Sequence, residues 1–156
     1  MCGISGIILK SKGSYDTVLQ VLSMNRSIGH RGPDGEGMVL LEYDKAIPLK
    51  TEDTPVANIH EINYIPQKFY NDYTVSDTNM LGVLAHRRLA VIDLSMKAHQ
   101  PMCTEDAKVW ISYNGEIYNY KHLRKQLQEA GFRFRSDSDT EVILNSYLYW
   151  GEDCVK

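Results

Sequence analysis

The sequence predicts an α+β fold built around a mostly antiparallel sheet. Short apolar or alternating runs read as strands at residues 4–9, 38–42, 81–85, 89–93 and 108–113, and helical signatures occupy residues 14–28, 120–130 and the stretch after 138. The two kinds of element come in unequal runs rather than a strict strand–helix alternation, which disfavours a doubly wound parallel sheet. A chain of 156 residues, 43% hydrophobic and 24% charged, has the content of one soluble domain with a real core.

Ile4-Ser5-Gly6-Ile7-Ile8-Leu9 is apolar without clean alternation, which predicts a strand covered on both faces. Ser14 or Asp16 opens the next element, and Val18, Val21, Leu22 and Ile28 give it an apolar helical stripe. Gly29 to Gly37 carries four glycines and Pro33, which predicts an elaborate turn, and it lacks the G-K-[ST] ending of a phosphate loop. Met38–Glu42 reads as a strand. Residues 43–80, with Pro48, Pro55 and Pro66 and little periodicity, read as a long excursion with a single short element, not a second domain.

Two strands are then expected, flanking His86-Arg87-Arg88. Lys108–Tyr113 alternates, and Asn114-Gly115 after it is a strong tight-turn dipeptide. Leu123 and Leu127 share a helix face, and Gly131 is placed to terminate that helix in the left-handed conformation. Ser138-Asp139-Thr140-Glu141 is a capping box opening a helix with Val142, Ile143 and Tyr147, closed by Gly151.

Composition excludes several functions. A net charge of −3 argues against sequence-independent binding to nucleic acid phosphates. The basic residues Lys121, Arg124, Lys125, Arg133 and Arg135 read as a solvated face. No apolar run is long enough to span a bilayer, and the opening run lacks the form of a signal peptide. Cys2, Cys103 and Cys154 are distant and odd in number, which fits a reducing, cytoplasmic setting rather than a disulfide frame or structural zinc. The sequon Asn25-Arg26-Ser27 is discarded on the same ground.

Cys2 is the residue with the most chemical promise. Removal of Met1 would leave a thiol and a free α-amine on one residue, a nucleophile with its own base. Their unperturbed pKa values, about 8.5 and about 7.7–8.0, make proton exchange nearly isoenergetic. Asn114 and Gly115 can supply a side-chain amide and an unobstructed N–H to a developing oxyanion; alternatively they form only a hairpin turn. Arg88 can fork onto a carboxylate, or sit in a surface salt bridge. Glu116 and Asp139 can hold an ammonium; Asp139 also suits a helix N-terminal turn on dipole grounds alone.

Six motifs occur in order: Met1-Cys2-Gly3-Ile4-Ser5-Gly6, His30-Arg31-Gly32-Pro33-Asp34-Gly35, Ala85-His86-Arg87-Arg88-Leu89-Ala90-Val91-Ile92-Asp93, Gln100-Pro101-Met102, Tyr113-Asn114-Gly115-Glu116-Ile117-Tyr118-Asn119 and Ser138-Asp139-Thr140-Glu141-Val142-Ile143-Leu144. Together they resemble the glutamine-hydrolysing domain of glutamine-dependent asparagine synthetases, a class II, N-terminal-nucleophile amidotransferase. The resemblance spans the chain except residues 43–80. It implies a four-layer α/β/β/α sandwich of two antiparallel sheets. It implies that Cys2 attacks the side-chain amide of glutamine, releases ammonia and leaves a glutamyl thioester for water to hydrolyse.

By the same resemblance Cys2, Asn114 and Gly115 are catalytic. Arg88 binds the α-carboxylate, Glu116 and Asp139 the α-ammonium, and backbone groups of Val91 and Ile92 line the pocket. Arg31 and Asp34 brace the loop beside the nucleophile. No metal or cofactor is expected in this chain; ATP and Mg belong to a synthetase half that is absent from it. The family domain is expected to run past residue 156, its partner being a synthetase domain, covalently linked or separate. Aspartate is the expected ammonia acceptor. A sugar- or peptide-amidating relative and a silent module that retains Met1 are the alternatives, and homo-oligomerisation is left open. For residues 43–80 only a surface excursion, as a partner contact, is suggested.

Overall fold

An isoleucine-rich strand opens the fold and pairs with the strand that carries the arginines. The computed structural model describes residues 1–10, 13–55, 59–62, 64–72 and 79–156. Within them β1 (Gly3–Ile8), α1 (Tyr15–Ser27), β2 (Gly35–Glu42), β3 (Ala46–Lys50), β4 (Lys68–Phe69), β5 (Met80–Arg88), β6 (Met102–Cys103), β7 (Trp110–Ile111), α2 (Tyr120–Glu129) and α3 (Asp139–Trp150) follow in order. The larger sheet has the order β1-β5-β2-β3-β4. Its pairs are antiparallel except the last, β3 with β4, which is parallel. The sheet is therefore mixed, and the expectation of purely antiparallel sheets is corrected at that edge. β6 and β7 form a separate antiparallel pair.

α1 lies on one face of the sheet because its apolar stripe has helical spacing. Val18, Val21 and Leu22 are buried against Met38 and Leu40 of β2, Leu49 of β3, and Met80, Val83 and Ala85 of β5. Ile7 of β1 packs on the same cluster. Its neighbours Ile4 and Ile8 point the other way and are 49% and 67% exposed. β1 is thus covered on one face only, against the sequence expectation. A run such as Ile7-Ile8 is ambiguous because successive strand residues face opposite sides whatever their type.

Three further expectations change. The glycine-rich stretch is an irregular turn only as far as Asp34; Gly35–Gly37 already belong to β2. Gly37 is needed there because a Cβ would lie 2.0 Å from the Gln100 carbonyl oxygen, so residues 99–100 cross directly over the strand. The two strands expected around His86-Arg87-Arg88 are one nine-residue strand, β5, and residues 89–93 are not a strand. Charge there does not break the strand because each side chain finds a polar partner: the Tyr113 carbonyl for His86, the Glu36 and Asp53 carboxylates for Arg87, and the Asp93 carbonyl for Arg88.

Arg87 Nη1 donates to Asp53 at 2.8 Å and lies 3.5 Å from the buried Glu36 carboxylate. Glu36 also accepts from Asn25 Nδ2 at 2.6 Å and from the Thr51 hydroxyl. Asn25, the sequon asparagine, is fully buried, so its burial independently supports setting the sequon aside.

The 43–80 excursion is more structured than expected. It holds β3 and β4 and two single-turn helices, Ile59–Glu61 and Tyr70–Asp72. Leu49 of β3 is wholly buried in the core. Residues 56–58, 63 and 73–78 of the excursion lie outside the described residues. Ile62 and Tyr64 return to form a second apolar cluster with Cys103, flanked by Met96 and Trp110. Tyr64 donates its hydroxyl to the His99 carbonyl at 2.5 Å. The excursion therefore backs the segment on which one wall of the pocket is built.

α2 buries Leu127, and Gly131 has φ of 97°, as its terminating role requires. Arg124 is not merely solvated: it donates to the Ser136 carbonyl at 2.8 Å and stacks over the Phe134 ring. α3 begins at Asp139, with Ser138 accepting from Thr140 N–H at 3.2 Å. The reciprocal half of the capping box is not made. The Glu141 carboxylate instead accepts from the N–H groups of Arg135 and Ser136 and from the Ser136 hydroxyl. Those groups offer a carboxylate more donors than the single N–H of a capping box.

Candidate active site

Four chain segments meet in one cavity of about 470 Å³. The N-terminus brings Cys2, the end of β5 and the turn after it bring Arg88 to Asp93, the segment after β7 brings Tyr113 to Glu116, and the start of α3 brings Asp139. Every site residue expected from the sequence lines it: Cys2, Arg88, Val91, Ile92, Asn114, Gly115, Glu116 and Asp139. They are separated by up to 137 positions in the chain, so only the fold assembles them.

Cys2 is half-buried, and its thiol sits on the backbone of one residue, Leu89. Sγ accepts from Leu89 N–H at 3.3 Å and faces the Leu89 carbonyl, to which its S–H can donate, at 3.4 Å. Arg31 Nε donates to the Cys2 carbonyl at 3.1 Å. Asp34 accepts from Ala90 N–H at 2.9 Å, while its own N–H donates to the Arg88 carbonyl. The Arg31–Asp34 turn therefore ties the N-terminal residue to the end of β5, in the positions expected of bracing residues.

Arg88 is buried yet makes no salt bridge among the described residues. The surface salt bridge considered from sequence is thereby set aside. Among the described residues its guanidinium makes one hydrogen bond, from Nη2 to the Asp93 carbonyl oxygen at 2.5 Å. Burial lowers its pKa from the ordinary value, with the nearby Asp93 charge opposing. Burial acting alone would raise the Asp93 pKa. The hydrogen bonds from Ser95 and the Asp137 N–H, with Arg88 beside it, outweigh that and hold it below the usual range. A buried guanidinium facing a cavity without a carboxylate partner is costly unless an anion completes it.

Asn114 and Gly115 do not form the hairpin turn considered from sequence. Among the described residues the glycines with positive φ are Gly131 and Gly151, so Gly115 is not in the conformation a type I′ turn demands. β7 stops at Ile111 and the chain runs on irregularly to α2. Gly115 instead leaves room for the Tyr113 side chain: a Cβ would lie 2.4 Å from its hydroxyl and 2.5 Å from its ring, so the tyrosine would have to shift. Neither the Asn114 amide nor the Gly115 N–H makes a hydrogen bond with the described residues, and both remain available to the cavity.

Asp139 is buried and accepts from Ile117 N–H at 3.0 Å, which leaves its other oxygen for a ligand. Glu116 is exposed at the rim. Val91 is 73% exposed and Ile92 40%, so this turn forms part of the mouth rather than the floor. Sequence reasoning passed over His86, Leu89, Gln100, Tyr113 and Thr140, which also line the cavity. The available signal was position: each falls inside one of the six motifs.

Two buried histidines stand under this site. Burial lowers the His86 pKa to about 4 and that of His99 to about 3. Above the ordinary value of 6.5 both are neutral whether the chain is folded or not, and they cost nothing. As pH falls below 6.5 the unfolded chain binds protons that the folded protein refuses, so stability is lost progressively down to the folded values. The urea midpoint should therefore drop between pH 7 and pH 4 by the equivalent of a few kcal/mol. A flat profile over that interval would show that the histidines are not held neutral.

The glutamine amidotransferase domain family matches residues 71–156, more than half of the sequence. The chain belongs to that family. It is 32% identical over 157 residues to asparagine synthetase [glutamine-hydrolyzing] 1 of Bacillus subtilis, covering 99% of this chain and 19% of that protein. It is 34% identical over 170 residues to putative asparagine synthetase [glutamine-hydrolyzing] 2 of Methanocaldococcus jannaschii, covering 100% of this chain and 25% of that protein. Over 85 residues, 51% of this chain, it is 47% identical to asparagine synthetase [glutamine-hydrolyzing] 3 of Bacillus subtilis. The chain thus spans about a fifth to a quarter of the length of the first two relatives. No helix among the described residues is long and apolar enough to cross a membrane.

Proposed function

We propose that this domain hydrolyses glutamine to glutamate and ammonia through a thioester on Cys2. The observation that carries the reading is the buried Arg88 guanidinium, without a carboxylate partner, in the same cavity as the Cys2 thiol and the Asp139 carboxylate. A free amino acid offers the complementary pair of charges, and a side-chain amide of glutamine length gives the thiol something to attack.

In this reading the α-amine of Cys2, freed by loss of Met1, takes the thiol proton. The thiolate adds to the amide carbon, and Asn114 Nδ2–H and Gly115 N–H donate to the oxygen as it becomes negative. The amine returns the proton to the departing nitrogen and ammonia leaves. The thioester is then attacked by water, giving glutamate and regenerating the thiol. Arg88 holds the α-carboxylate, and Asp139 with Glu116 the α-ammonium. The Val91–Ile92 turn closes the mouth through its backbone. None of these steps calls on a metal or cofactor.

The remainder of the reading follows the asparagine synthetases to which the chain is similar. The ammonia passes to an ATP- and Mg-dependent synthetase partner, aspartate being the acceptor by default. The larger sheet with α1 and the β6–β7 pair with α3 belong to a four-layer α/β/β/α N-terminal-nucleophile sandwich, and the enzyme works in the cytoplasm.

The pocket assignment is tested by glutamine kinetics of Arg88→Ala and Asp139→Asn. Each should raise KM for glutamine by roughly one to two orders of magnitude, since each leaves a ligand charge unpaired in a largely desolvated site. Unchanged KM in both variants would refute the assignment.

A further inference from the structure

We propose that Gln100 is a positioning residue for glutamine hydrolysis, its side chain fixing the segment that presents Asn114 and Gly115 while joining it to the start of α3. This rests on the glutaminase reading given above. The problem it solves is a physical one. Asn114 and Gly115 lie beyond the end of β7, outside any sheet ladder, and oxyanion donors work only if they are held in place before the charge develops.

Gln100 Oε1 accepts from Tyr113 N–H at 2.7 Å, and Gln100 Nε2 donates to Thr140 Oγ1 at 3.1 Å. One side chain therefore connects the residue before Asn114 with the residue after Asp139. The opposite side of the same Tyr113 residue is also held: its carbonyl oxygen lies 3.1 Å from His86 Nε2. A carbonyl can only accept, so His86 donates from Nε2. Two residues past Gly115, Ile117 N–H is held by Asp139. The three residues 114–116 are thus suspended between fixed points at 113 and 117.

Gln100 itself has little freedom. It is buried, its carbonyl oxygen fills the space where Gly37 lacks a side chain, and the adjoining His99 carbonyl is held by Tyr64. The position calls for a glutamine because it needs an acceptor and a donor on one planar group, bridging the Tyr113 backbone N–H and the Thr140 side-chain hydroxyl. Methionine has the volume without the hydrogen bonds. Glutamate keeps the acceptor for Tyr113 N–H, and the Thr140 hydroxyl can turn to donate to it.

Steady-state glutamine hydrolysis by the full-length protein tests this with Gln100→Met, Gln100→Asn and Gln100→Glu. Gln100→Met should lose roughly 10- to 100-fold in kcat, as displaced donors do, with KM within about two-fold of the parent. Gln100→Asn, one methylene shorter, should show the same split and serves if the methionine variant does not fold. Gln100→Glu should recover most of kcat.

Three results overturn the proposal: parental kcat in a folded Gln100→Met or Gln100→Asn, a loss confined to KM, or no recovery in Gln100→Glu. A loss confined to KM would assign Gln100 to the Asp139 side of the pocket. The two readings fail separately. A parent protein that does not turn over glutamine sinks the glutaminase reading, whereas an active parent with indifferent Gln100 variants sinks only this one.

Discussion

Replacing Cys2 by alanine is expected to abolish glutamine hydrolysis, by roughly 10⁴-fold or more, because it removes the attacking sulfur and leaves the α-amine with no thiol to activate. Folding should be little affected. The side chain is half-buried, and its hydrogen bonds with the described residues are confined to the Leu89 backbone. An unchanged melting temperature with lost turnover would place the whole effect in the chemistry. The α-amine makes a sharper demand on the same residue. A protein preparation that retains Met1 has that nitrogen tied up in an amide, which is not basic, and should be as inactive as the alanine variant. Intact mass together with alkylation by an electrophilic glutamine analogue reads this directly. Turnover by protein whose mass still includes Met1 would rule out the α-amine as the base.

Replacing Asn114 by alanine should lower kcat by about 10²–10³ with KM nearly unchanged. The amide is exposed to the cavity and makes no hydrogen bond with the described residues. Its removal therefore leaves no internal partner unsatisfied, and stability should stay within a few tenths of a kcal/mol, as for other surface changes. Asn114→Asp should be no better, because a carboxylate would oppose the charge that the site must accept. A rise in KM with kcat preserved would move Asn114 from the oxyanion to the binding of ground-state glutamine.

The helices were legible in the sequence because their signals are local. The stripe of α1, the glycine after α2 and the serine before α3 act within one or two turns of the chain. The strands were less so. β5 reads locally as two strands because His86-Arg87-Arg88 looks like surface, while its burial depends on Glu36, Asp53 and the segment at 99–113, all distant in sequence. β3 reads locally as loop because Pro48 and the surrounding turn residues hide a strand near whose end Leu49 enters the core. The parallel β3–β4 pairing has no local signature.

The site divides in the same way. By itself the sequence determined which residue types could take part: a thiol at position 2, an arginine, an Asn-Gly pair and two acids inside six ordered motifs. The tertiary structure alone decided that these share one cavity, and that Arg88 has no carboxylate partner among the described residues. It also decided that Asn114-Gly115 is an irregular segment held by Gln100 and His86, not a turn. The reason is that motif identity is written residue by residue, whereas burial, pairing and free hydrogen-bonding capacity depend on neighbours far away in the chain. Cys2 and Leu89 are 87 residues apart and meet through the Leu89 backbone N–H and carbonyl.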